Sequence, residues 1–160
     1  MATAKKSTTQ ATSTSVNSDT DSGEWSAEER EAMKEAAKDK RRAKKGKTTP
    51  EEDLAEVLGK IAAMNDADRE VAERVHELVL KAAPELQPRT WYGMPAYARE
   101  GKVVVFFKPA AKFKVRYAEV GFNEFAHLDD GDMWPTAFAV TAVNPAVEGA
   151  ITDLVRRAVS

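Results

Sequence analysis

Residues 91–107 read WYGMPAYAREGKVVVFF, and the fold class follows from how that stretch is divided. Glu100-Gly101 has the composition of a two-residue hairpin turn, so Met94–Arg99 and Lys102–Lys108 become antiparallel neighbours. Val103 to Phe107 is apolar at every position, which a strand requires when both its faces are covered. Further along, KFKVRYAEV (112–120) alternates, with Phe113, Val115 and Tyr117 facing one way and Lys112, Lys114 and Arg116 the other. This spacing predicts another strand. Asp129-Asp130-Gly131 predicts a turn and Thr136–Thr141 a further strand.

Helices flank these strands on both sides in sequence. Thr49, Pro50 and Glu52 are a cap, a first-turn proline and the far member of a capping box. Leu54, Val57, Leu58 and Ile61 give the helix that follows one apolar face. Asn65 or Asp66 opens a third helix with Val71, Val75, Leu78, Val79 and Ala82 at helical spacing, stopped before Pro84 and Pro88. Asn144 and Pro145 begin a last helix with a stripe of Val147, Ile151, Leu154, Val155 and Ala158. The expected fold is α+β, an antiparallel sheet with helices packed on one face, over residues 50–160. Residues 1–24, with Val16 as the only large aliphatic after Met1, read as a disordered tail. Residues 25–48 read as a charged, largely exposed helix that opens with a Ser26/Glu29 capping box and projects from the body.

Several chemistries lack their parts. The chain of 160 residues contains no cysteine, which excludes disulfides, thiolate metal sites and a cysteine nucleophile. After Ser26 the only serine is Ser160, and His76 and His127 are the only imidazoles, outside any H-E-x-x-H pattern. Gly46-Lys47-Thr48 resembles the end of a phosphate loop, but Arg41 stands where that loop needs its first glycine. No catalytic residue is assigned. The N-terminal stretch lacks the apolar core of a signal peptide, and no run could span a bilayer, so a cytoplasmic monomer without a membrane partner is expected.

Binding chemistry remains. Trp91, Tyr92, Met94 and Tyr97, with Trp134 entering another strand, form an aromatic group that either closes the core or lines a pocket, and core closure is the leading reading. Gly93 and Pro95 are expected to interrupt regular structure there. On a strand, Lys112, Lys114 and Arg116 would stand about 6.5–7 Å apart on one side, a surface for an anion beside the aromatic floor. Asp66, Glu70, Glu73 and Glu77 make one acidic row on the third helix, read mainly as a solvated face with Glu70 paired to Arg74 and Glu77 to Lys81. Glu124, His127, Asp129, Asp130 and Asp132 cluster without the spacing of a calcium loop. The basic run 38–47 has seven cations and one acid. It reads first as a solvated helix end, and as the place where a nucleic-acid or protein partner would touch.

WYGMPAYAREGKVVVFF, KFKVRYAEVGF and LDDGDMWPTAFAV, in that order, resemble the YdhG-like family of small domains of unknown function. The resemblance extends from about Asp53 to the end of the chain and implies an α+β fold with a curved antiparallel sheet. Some members are described as frataxin-like iron chaperones, which would give the acidic row a metal to hold. The family brings no established catalytic residues. Together these readings describe a non-catalytic module for a small ligand, an anion or a metal ion, with an interaction domain working through the basic helix as the alternative.

Overall fold

A computed structural model describes residues 25–46 and 48–160. The tail expected over residues 1–24 lies outside them. The elements run α1 (Ala27–Lys45), α2 (Pro50–Ala62), α3 (Asp66–Ala82), β1 (Gln87–Trp91), β2 (Met94–Arg99), β3 (Lys102–Lys108), β4 (Ala118–Phe122), β5 (Ala137–Val140) and α4 (Pro145–Val159). Five strands form one antiparallel sheet in the order β1-β2-β3-β4-β5, so the class is α+β. No described helix is long and apolar enough to cross a membrane.

The helix starts form where the capping side chains stand. Ser26 and Thr49 each accept from the backbone N–H three residues on, and Glu29 and Glu52 reach back to complete both boxes. Asn65 and Asn144 cap α3 and α4 in the same way. The main core lies between one face of the sheet and α2, α3 and α4. There Val57, Ile61, Val75, Val79, Ile151 and Val155 meet Tyr97, Val105, Phe107 and Val120. The register of β2 on β3 slips after Tyr97, which pairs with Val105 while Ala98 pairs with Val103. Val104 is thus the extra residue of a bulge, and the kink lets Val104 and Val105 both reach the main core.

Three local expectations are corrected. Gly93 and Pro95 do not interrupt the sheet: Trp91 pairs with Met94, and Tyr92-Gly93 is a hairpin turn with φ of 52° and 72°. Both central residues sit in the left-handed region, as at Glu100-Gly101 (52° and 79°), and this twist suits a two-residue hairpin. The second correction concerns KFKVRYAEV, where only Ala118 onward is a strand. The Asp68 carboxylate on α3 accepts from Ala110 N (3.2 Å) and Ala111 N (2.9 Å), and this winds residues 110–115 into a turn closed by Val115 N to Ala110 O. A buried carboxylate with two backbone donors outweighs six residues of alternation. Third, α1 does not project. Glu28, Ala32, Glu35, Asp39 and Arg42 fall on one helical stripe directed at the body, and Ala32 is only 6% exposed.

Candidate functional site

Side-chain alternation along β1, β2 and β3 gives the sheet a second apolar group on the face away from the main core. Ala96, Ala98 and Val103 are buried there, with Trp91 and Phe106 packed over them. Phe106 lies directly across from Gly121 in the β3–β4 register, and a Cβ at that position would run into its ring. The glycine lets the ring lie flat on the sheet. Its centroid is 5.1 Å from that of Trp91, which in turn meets Tyr92 edge-on at 4.9 Å.

Helix α1 runs beside this face and turns it into two clefts. The larger, about 600 Å³, is bounded by Asp39 and Lys40 of α1, by Arg89, Trp91, Lys102 and Val103 of the sheet, and by Glu124 and Phe125. The smaller, about 490 Å³, lies between Glu28 and Ala32 of α1 and the side chains of Met94, Phe106, Lys108, Phe113 and Val115. Trp91 and Tyr92 line both, so the pair is the partition between them.

The larger cleft has a positive excess. Arg89, Lys102 and Lys40 face Asp39 and Glu124. Burial pushes the Asp39 carboxyl above its usual range, against the opposing hydrogen bond from Thr90 Oγ1 (3.1 Å), and its Oδ2 is buried without a partner. Lys102 Nζ sits 4.9 Å from the Phe125 ring centroid, and Arg89 Nη1 donates to Gly101 O at 3.3 Å. Each cation is thereby held at the rim without an acidic partner among the described residues.

The residues expected to bind divide sharply. Trp91, Tyr92 and Met94 come together on the second face. Tyr97 does not: it is fully buried in the main core, where its hydroxyl lies 2.9 Å from His76 Nδ1. Trp134 also packs against the main core, beside Asp129, Asp132 and Met133, and not against Trp91. Lys112, Lys114 and Arg116 form no common strand face, because residues 110–115 are wound into a turn and the strand begins only at Ala118. Lys112 is half-buried, with Nζ 3.5 Å from Gly93 O, and burial lowers its pKa. A Cβ at Gly93 would stand 2.6 Å from that nitrogen, a contact the flexible lysine end can yield to, so the left-handed backbone remains the reason for glycine at this turn. Lys114 pairs with Glu28, and the Arg116 guanidinium lies 5.3 Å from the Tyr117 ring centroid. Arg89, Lys102 and Phe106 were not anticipated. Placing them needed the strand at 87–91 and the parity of β3.

The acidic row pairs differently from expectation. Arg74 binds Glu77 (2.5 Å) and Glu148 of α4 (2.6 Å), and Asp66 binds Arg69 (2.5 Å). No three His, Asp or Glu side chains among the described residues are grouped to hold a metal ion. Burial lowers the pKa of His76 below the ordinary imidazole value of 6.5, with Glu77 opposing. The unfolded chain therefore binds the proton more readily. This contribution to stability is complete above about pH 6.5 and is lost as pH falls toward the folded value. Thermal melts between about pH 7 and pH 5 should show the loss, and His76→Gln should flatten that slope; an unchanged slope would refute the assignment.

Compared with family models, curated proteins and solved structures, the chain matches none, so the functional reading rests on its own geometry.

Proposed function

We propose that this domain is a non-catalytic module that binds a small organic anion, a carboxylate or phosphate with an apolar or aromatic body, in the larger α1-side cleft. One observation carries the reading: three cations, Lys40, Arg89 and Lys102, line the same cleft as the apolar side chains of Trp91, Val103 and Phe125. A ring or alkyl body would lie on Trp91 and Val103, and the anionic group would reach Arg89 and Lys102. The metal-chaperone alternative has no grouped ligands among the described residues to support it. The resemblance to YdhG-like domains agrees with a binding role, since it brings no catalytic residues. A nucleic-acid or protein partner is the second reading, favoured by Lys38, Lys40, Arg41 and Lys44, all exposed on α1.

The probe for the first reading is anilinonaphthalene sulfonate, an aromatic body with one fixed negative charge, titrated against native protein. It should bind saturably at one site. Arg89→Ala and Lys102→Ala should each weaken it roughly tenfold, as loss of one charge-assisted hydrogen bond does, at nearly unchanged melting temperature. Phenyl phosphate should compete. Non-saturating fluorescence, or affinities indifferent to both substitutions, would dismiss the site. Salt-sensitive binding of a duplex oligonucleotide that survives both substitutions would favour the second reading.

A further inference from the structure

We infer that α1 is a detachable wall of the binding cleft, held down by ionic and polar links rather than by an apolar seam, so that ionic strength and ligand jointly set whether the site exists. Its body-facing stripe contains no large apolar residue. Four side chains make the attachment: Glu28 to Lys114, Glu35 to Lys60 (3.2 Å), Asp39 to Thr90 (3.1 Å) and Arg42 to Glu56. Only Ala32 is buried among them, while Met33 and Trp25 of the same segment are 40% and 56% exposed. The other helices differ in kind, since α3 buries Val71, Val75, Leu78 and Val79.

Three consequences follow from that difference. Each ion pair is partly buried but keeps its cation 30–75% exposed, so salt screens it in part, whereas the apolar faces of α2, α3 and α4 are unaffected by screening. Detached from the body, α1 keeps only its own helix propensity and loses the tertiary packing that supplies most helical stability, so release exposes its amides to solvent. Both clefts lose one wall together, because Asp39 and Lys40 bound one and Glu28 and Ala32 the other. A ligand that bridges α1 and the sheet must then favour the docked helix by mass action. The orphaned Asp39 Oδ2 weakens docking further, as a buried acceptor with no donor opposes burial.

The effect on the cleft rests on the anion-binding reading above; the docking of α1 does not. The test is hydrogen exchange by mass spectrometry on the full, ligand-free chain at about 0.05 M and about 1 M sodium chloride. Peptides from α1 should exchange roughly tenfold faster at high salt, with α3 peptides unchanged. At low salt, Glu35→Lys with Arg42→Glu should speed exchange of α1 alone, and adding Lys60→Glu with Glu56→Lys should restore protection. That rescue separates pairing from helix propensity. Equal α1 protection at both salts would overturn the inference, as would exchange at coil rates in both, or failure of the charge swap to restore protection. If α1 responds as described and anilinonaphthalene sulfonate does not bind, the detachable helix stands and the ligand reading alone falls.

Discussion

Asp68→Ala should lower the unfolding free energy by roughly 1–3 kcal/mol, because it removes the shared acceptor of two backbone donors at once. Asp68 is 6% exposed and stands in the first turn of α3, yet its carboxylate works at a distance, holding Ala110 N and Ala111 N some forty residues on. Without it those N–H groups lose their acceptor, and Ala110 is half-buried, whereas Ala111 is exposed and water can take the carboxylate's place there. Asp68→Asn keeps one acceptor and should cost distinctly less. The turn also carries Phe113, a wall of the smaller cleft, and Lys112, which sits against Gly93. Faster exchange at Ala110 and Ala111, accompanied by the loss in denaturant melts, would establish the role. A cost below about 1 kcal/mol would show that the turn holds itself.

That same carboxylate explains what was hidden in the sequence. The caps at Ser26, Thr49, Asn65 and Asn144 and the turn at Glu100-Gly101 are local chemistry, and local chemistry is legible: each element they predict forms where they place it. Alternation at 112–117 is also local, but its backbone is committed to a residue on another element, which no short window contains. β1 escaped notice because Pro88 interrupts its pattern. As an edge strand it can lack one donor, and α1 and α2 lie beside it. The docking face of α1 leaves no apolar periodicity in the sequence, because its stripe reads Glu, Ala, Glu, Asp, Arg. The site followed the same rule. Trp91, Tyr92 and Met94 are conspicuous by type; Arg89 belongs with them only because residues two apart on a strand share a face.

Tyr97 tests that division between the two faces more severely than any other residue. It stands two positions from Pro95 and three from Met94, inside the aromatic run, and by type alone it belongs with Trp91. Strand parity puts it on the opposite side from Ala96 and Ala98, fully buried against α3, where its ring meets His76 at 5.6 Å between centroids. Burial pushes the phenol pKa well up, so the hydroxyl stays protonated and bonded to the imidazole. Tyr97→Ala should therefore cost roughly 3–5 kcal/mol, the range for large aromatic truncations in a core. Tyr97→Phe keeps the packing and removes only the bond to His76, for about 0.5–2 kcal/mol. The deciding measurement is binding. Tyr97→Phe, folded but less stable, should bind anilinonaphthalene sulfonate as tightly as the unaltered chain, whereas Trp91→Ala should lose it. If Tyr97→Phe weakens the probe as much as Arg89→Ala does, the ligand sits on the main-core side of the sheet and the cleft beside α1 is not the site.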